Sequence, residues 1–100
     1  MDSPVSGPVP APLAGYTILS LAEQYPGPYA TLLLADLGAR VILVERPPGG
    51  DPSRANAAFF EALNRGKLSI GLDLKSEDGR QGLLALARQA DALIEGFRPG

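Results

Sequence analysis

The sequence contains no cysteine and no histidine. These absences remove thiolate nucleophiles, disulfides, imidazole bases and the usual zinc ligands from the chemistry to be considered. The formal net charge is −2 and no run of like charges occurs, which argues against the basic stripe of a nucleic-acid-binding protein. We therefore expect small-molecule or protein partners, no nucleic acid and no metal, and the lack of cysteine fits a cytoplasmic protein.

Long hydrophobic runs are also missing. Apolar runs such as residues 32–35 are far too short to span a membrane, and the first residues lack the charged and then apolar order of a signal peptide. Residues 1–12 are rich in proline among small residues, a composition that predicts a disordered tail. We expect a soluble protein with no membrane partner, whose folded part is residues 13–100.

The rest of the chain alternates short apolar runs with helical patterns. Runs of aliphatic and β-branched residues predict strands at residues 16–21, 41–44, 69–72 and 92–94. Helices are predicted at about residues 28–37, at about 56–63, and after Ser76 as an N-cap, with an irregular loop at 47–54. Strand, helix and strand with short connections form right-handed parallel crossovers. The pattern therefore predicts an α/β fold in which helices flank a parallel sheet of about four strands.

Each predicted strand runs into a turn, and parallel strands place all four turns along one edge of the sheet. That edge, outside the carboxyl ends of the strands, is where open α/β sheets bind ligands. The turns carry the cations Arg46, Lys75 and Arg98 and the aromatic residues Tyr25 and Phe97. Because such side chains suit phosphate groups and a base, the sequence predicts a nucleotide-like ligand.

Glu45 offers a competing interpretation. It ends the second predicted strand eighteen residues after Gly27, close to where an acidic residue holds the ribose in dinucleotide-binding folds. The turn at Gly27 lacks the glycine triplet of that fingerprint, which leaves NAD binding as the weaker alternative. For Arg46 the alternative to a ligand contact is a surface cation paired with Glu45. Asp36 and Asp73 stand where caps and turns need acceptors, so neither is assigned a catalytic role.

Seven short blocks follow one another in a distinctive order. They are Gly27-Pro28-Tyr29-Ala30, Leu34-Ala35-Asp36-Leu37-Gly38-Ala39, Val44-Glu45-Arg46-Pro47, Gly50-Asp51-Pro52-Ser53-Arg54, Asn64-Arg65-Gly66-Lys67, Leu72-Asp73-Leu74-Lys75 and Phe97-Arg98-Pro99-Gly100. In these blocks the chain resembles the opening segment of the family III coenzyme A transferases. That family also contains the α-methylacyl-CoA racemases and the formyl-CoA and carnitine-CoA transferases.

The resemblance implies a three-layer, Rossmann-like amino-terminal part that binds coenzyme A, within an interlocked homodimer of chains several times longer. Residues 13–100 would then be the amino-terminal portion of a larger, truncated domain. In the transferases an aspartate beyond this region attacks the acyl-CoA to form a mixed anhydride. In the racemases a downstream histidine and aspartate move the α-proton of the thioester. Neither set maps onto this chain, so we expect it to be inactive by itself.

For the complete protein the resemblance favours transfer of coenzyme A from an acyl-CoA thioester to a carboxylic acid. The alternatives are an α-methylacyl-CoA racemase and a non-catalytic fragment that binds coenzyme A or a nucleotide. The coenzyme A contacts that the resemblance implies follow the four strands, at Tyr25, Pro26, Arg46, Leu72, Asp73, Leu74, Lys75, Gly96, Phe97 and Arg98.

Three positions depart from the usual pattern of the family. Ser20 stands where aspartate is common, Leu68 where arginine is common, and Gly96 where asparagine is common. Gly96 lacks the side-chain amide of asparagine, which could contact the ligand, and Leu68 lacks the positive charge that arginine would place near the ligand. We expect these changes to affect the affinity for coenzyme A rather than the fold.

Overall fold

The computed structural model describes residues 11–23 and 26–96. The prediction of a disordered tail falls almost wholly outside these ranges. In chain order the elements are β1 (Thr17–Ser20), α1 (Gly27–Asp36), β2 (Arg40–Glu45), a 3₁₀ turn (Pro52–Ala55), α2 (Ala57–Asn64), β3 (Leu68–Gly71), α3 (Glu77–Ala87) and β4 (Ala92–Ile94). Every predicted strand and helix is present, and the predicted ends that can be compared agree within one residue. Only the 3₁₀ turn was missed, because residues 47–54 were expected to be irregular throughout.

The four strands form one parallel sheet in the order β3-β2-β1-β4. Leu19 of β1 pairs with Ile42 of β2 on one side and with Leu93 of β4 on the other. The chain therefore moves outward from β1 to β3 and then returns to the far side of β1. Since parallel crossovers are right-handed, this reversal carries α3 to the opposite face of the sheet from α1 and α2. The result is the predicted three-layer, Rossmann-like arrangement.

Alternate residues of the strands build two separate cores. Ile18 and Val41 pack on one face with Leu34 of α1, whereas Leu19 and Val44 pack on the other face with side chains that include Leu83 of α3. Such near-continuous burial is typical of a parallel strand covered on both faces. It explains why the apolar run of β2 shows no alternation in the sequence.

Local capping sets the ends of the helices. Asn56 accepts a hydrogen bond from the amide of Phe59 (3.1 Å) at the start of α2, and Ser76 accepts one from the amide of Gly79 (2.9 Å) at the start of α3. After α1 the chain turns at Gly38, whose φ of 103° lies in the left-handed region that favours glycine. These caps confirm the predicted roles of Ser76 and Gly38.

The outer strands carry exposed apolar side chains. Leu68 is 50% exposed on β3 and Leu93 is 47% exposed on β4. No further strand pairs with either outer strand within residues 11–23 and 26–96. In that same part of the chain, no helix has the length and hydropathy needed to cross a bilayer.

Candidate ligand-binding edge of the sheet

The carboxyl ends of the strands meet at one edge, as predicted. In the order β3-β2-β1-β4, the direction of the connections reverses between β1 and β4, and ligands of doubly wound folds bind at this switch point. Small residues lie there: a Cβ atom on Gly27 would overlap the side chain of Ala22, and one on Gly96 would lie 4.0 Å from it. The first turn of α1 therefore packs directly on the turn that follows β1.

A cleft of about 640 Å³ opens along the same edge of the sheet, at the carboxyl ends of β2 and β3. Its size lies within the range of pockets that bind small molecules. One wall is the loop after β2 and the other is the turn after β3. The lining residues are Arg46, Pro47, Pro48, Gly50, Asp73, Leu74 and Lys75.

Arg46 stands at the mouth of the cleft with its side chain 65% exposed. Its Nε and Nη2 atoms donate to the two carboxylate oxygens of Glu23, at 2.9 and 3.0 Å. The partner is therefore Glu23, which follows β1, and the interpretation of Arg46 as paired with Glu45 is wrong. This two-point contact holds the plane of the guanidinium.

The opposite wall is fixed by hydrogen bonds around Asp73. The carboxylate of Asp73 accepts from the amide of Lys75 (3.0 Å), and its carbonyl accepts from the hydroxyl of Ser76 (2.8 Å). A Cβ atom on Gly79 would overlap that carbonyl, so only glycine lets α3 begin so close to the turn. Asp73 thus acts as a turn acceptor, while the Lys75 ammonium has no hydrogen bond or ion pair within the described ranges.

Glu45 ends β2 with its side chain directed inward, and the residue is 5% exposed. Its carboxylate accepts from the Asp51 amide (2.8 Å), from Nε and Nη2 of Arg54 (both 2.7 Å), and from the Ser69 hydroxyl. The hydrogen bonds from Arg54 are the main reason that the pKa of Glu45 falls to about 2. A ribose would have to displace these donors, so the geometry does not favour NAD binding through Glu45.

Sequence reasoning missed a half-buried charged group, the ammonium of Lys67. Its Nζ atom donates to the carbonyl of Pro28 (2.9 Å) and to the side-chain oxygen of Asn64 (2.7 Å). Burial lowers the pKa of Lys67 to about 8. These contacts tie the turn before β3 to the first turn of α1. In the sequence the only signal was the block Asn64-Arg65-Gly66-Lys67, which contributed to the resemblance but not to the predicted site.

The structure brings only some of the predicted contact residues together. Arg46, Asp73, Leu74 and Lys75 line the cleft, and Leu72 packs instead with the apolar cluster beneath α3. Two others, Pro26 and Gly96, lie near the ends of β1 and β4. The remaining three, Tyr25, Phe97 and Arg98, lie outside the described residues. The contact of each residue with coenzyme A stays a prediction.

A three-layer parallel α/β fold with a cleft at the carboxyl edge of its sheet places the chain in the class of Rossmann-like proteins. The model of one family, CoA-transferase family III, matches residues 13–100. The chain therefore belongs to CoA-transferase family III. In the part of the chain that the structure describes, no three acidic side chains are grouped closely enough to hold a metal ion.

Individual relatives are similar throughout this region. The succinyl-CoA:mesaconate CoA-transferase of Haloarcula hispanica is 42% identical over 95 residues, covering 83% of this chain and 24% of that protein. The acetyl-CoA:oxalate CoA-transferase of Acetobacter aceti is 42% identical over 96 residues, covering 89% of this chain and 25% of that protein. The chain thus spans about a quarter of the length of these relatives.

Solved structures agree with the fold. The crystal structure of the hypothetical protein Rv3272 from Mycobacterium tuberculosis matches with a TM-score of 0.84 and 44% identity, over 90% of this chain and 26% of that one. A protein of the CAIB/BAIF family from Brucella suis matches with a TM-score of 0.84 and 40% identity, over 89% and 26% respectively.

Proposed function

We propose that this chain is the coenzyme A-binding portion of a CoA-transferase. The complete protein would move coenzyme A from an acyl-CoA thioester to a carboxylic acid acceptor. The observation that carries the proposal is the cleft at the carboxyl edge of the sheet, which Arg46 and Lys75 line, in a chain whose relatives are named CoA-transferases. Those names favour transfer over racemisation, the alternative that the resemblance left open.

The two cations at the cleft suit different parts of coenzyme A. Lys75 has an ammonium with no partner among the described residues, so it can meet a phosphate as a point charge. The donors of Arg46 already face Glu23, which leaves the flat guanidinium face available to stack on the adenine ring. Pro47, Pro48 and Leu74 supply apolar surface between these groups.

The remaining predicted contacts suit the pantetheine arm. From the cleft the arm would run along the edge of the sheet toward the ends of β1 and β4, near Pro26 and Gly96. Gly96 presents no side chain there, so the backbone is open to close approach. We assign no residue of this chain to the acyl-transfer step, and we propose that the chain alone is inactive. The resemblance further supports an interlocked homodimer and a cytoplasmic location.

Calorimetric titration of coenzyme A into the chain tests the proposal. We expect Lys75→Ala to weaken binding by about tenfold, since a hydrogen bond to a charged group contributes roughly 1.5 kcal/mol or more. Arg46→Ala should weaken it by a similar factor through loss of stacking. Dephospho-coenzyme A, which lacks the 3′-phosphate, then shows which phosphate Lys75 contacts, because the effect of Lys75→Ala disappears if that phosphate is the partner.

Arg65→Ala is the matched control. Arg65 is also an exposed arginine in an ion pair, with Asp36 at 3.0 Å, but it lies outside the cleft. We expect it to leave the dissociation constant unchanged. Equal affinities for wild type, Lys75→Ala and Arg46→Ala would contradict the assignment of this cleft to coenzyme A.

A further inference from the structure

One short loop lines the cleft and is attached to Glu45. Residues 46–50 leave β2 immediately after Glu45, and the chain returns to the same carboxylate at Asp51, whose amide donates to it at 2.8 Å. Within the loop, the amide of Gly50 donates to the carbonyl of Arg46 at 3.0 Å. Both ends of the 46–50 loop are therefore held at a single side chain.

Arg54 completes this attachment from the far end of the loop. Its Nε and Nη2 atoms donate to both oxygens of Glu45, and its guanidinium lies 4.0 Å from the centre of the Phe60 ring. The ring fixes the position of the guanidinium from α2, and Ser69 of β3 donates to the same carboxylate. The charge pair thus joins the loop to two neighbouring elements of the fold.

Gly50 shows how closely the loop follows the pair. Its φ of 78° lies in the left-handed region, and a Cβ atom there would overlap Oε1 of Glu45 and lie 2.9 Å from Nε of Arg54. Gly50 also lines the cleft, together with Arg46, Pro47 and Pro48. A change in the pair must therefore move the wall of the cleft.

We infer that Glu45 and Arg54 are positioning residues for ligand binding, because they hold the 46–50 loop as one wall of the cleft without touching the ligand themselves. This inference rests on the proposed coenzyme A site and deepens it. Since the pKa of Glu45 falls to about 2 and that of Arg54 is raised by the same contact, the pair stays ionised at every pH at which a dissociation constant would be measured.

The test combines binding with a direct view of the loop. Glu45→Gln keeps the shape of the side chain and removes its charge, and we expect it to weaken coenzyme A binding by about tenfold, the loss that corresponds to one hydrogen bond to a charged group. The amide resonances of Arg46, Gly49 and Gly50 should shift in the ¹⁵N-¹H spectrum of the ligand-free variant. Arg54→Lys, which keeps the charge, should bind more tightly than Arg54→Met, a rescue that loss of packing alone would not produce.

Two further variants keep the test decisive. Gly50→Ala leaves both charges in place and should weaken binding by displacing the loop. This variant therefore tests the role of the loop even if Glu45→Gln does not fold. Asp36→Asn removes the carboxylate of an exposed ion pair with Arg65 and should leave binding and the loop resonances unchanged. If wild type binds coenzyme A and the Glu45, Arg54 and Gly50 variants bind it equally well, the inference is overturned. If wild type does not bind coenzyme A, the proposed function fails first and the inference falls with it.

Discussion

Acid should destabilise this fold chiefly through Glu45. The carboxylate is buried and accepts hydrogen bonds from Arg54, Asp51 and Ser69. Its pKa falls from 4.5 in the unfolded chain to about 2 in the folded state. A group whose pKa is depressed by folding stabilises the protein above its unfolded pKa, and this contribution is lost as pH falls toward the folded pKa. The sensitive window is therefore pH 4.5 to 2.

The magnitude follows from the size of the shift. Each pKa unit corresponds to 1.36 kcal/mol, so a change from 4.5 to about 2 contributes roughly 3 kcal/mol to the free energy of unfolding at neutral pH. Removal of one partner from a buried charge pair has an effect of the same order. We expect Glu45→Gln to be less stable than wild type by roughly 3 kcal/mol at pH 7, and the two proteins to converge near pH 2.

Urea unfolding followed by far-ultraviolet circular dichroism measures both proteins at each pH. Glu77→Gln is the control: its carboxylate accepts from Gln81 and Arg80, which lowers the pKa of Glu77, but the side chain is 70% exposed. Solvent screens such a pair, so this variant should keep the acid dependence of wild type. Parallel loss of stability by wild type and Glu45→Gln between pH 5 and 2 would refute the reasoning.

Three other perturbations have defined outcomes. The depressed pKa of Lys67, about 8, means that the unfolded chain binds more protons between pH 8 and 10.5, so the free energy of unfolding should rise across this window. Because the ammonium also donates to Pro28 and Asn64, contacts that favour its charged form, we expect the free energy of unfolding to rise by only about 1 kcal/mol. If a Lys67→Met variant showed the same rise at alkaline pH, the assignment of the rise to Lys67 would be wrong. Ser76→Ala removes the cap of α3 and should lower the free energy of unfolding by about 1 kcal/mol, measured by urea titration, whereas no loss would mean that the cap is dispensable. Leu19→Ala leaves a cavity at a fully buried position between β1 and α3 and should lower the free energy of unfolding by roughly 3 kcal/mol in the same assay. A loss below about 1 kcal/mol would show that the site collapses around the smaller side chain.

The secondary structure could be predicted from the sequence because its signals are local. The strand patterns at residues 41–44 and 92–94 depend on neighbouring side chains, as do the caps at Ser76 and Gly38. Each of these patterns and caps depends on only a few adjacent residues. The alternation of strands and helices then restricted the topology, since parallel crossovers have one hand.

The polar contacts around the cleft could not be predicted in the same way. Glu23 pairs with Arg46 across 23 positions of the chain, and Lys67 reaches the Pro28 carbonyl across 39. No local rule selects such partners, because the sheet order decides which turns become neighbours. Alternation along β2 does place Glu45 on the same face as Val41 and Leu43, and this signal could have shown that its side chain points inward.

The sequence alone determined the fold class and the parallel sheet, because hydrophobic periodicity and capping act over a few residues, and it predicted a ligand at the carboxyl edge of that sheet. The family resemblance added the prediction that this ligand is coenzyme A. Only the tertiary structure decided which charged groups face one another: Arg46 with Glu23, Arg54 with Glu45, and Lys75 with none of the described residues. The physical reason is that ionic pairing depends on distances in space, and folding sets these distances between residues far apart in the chain.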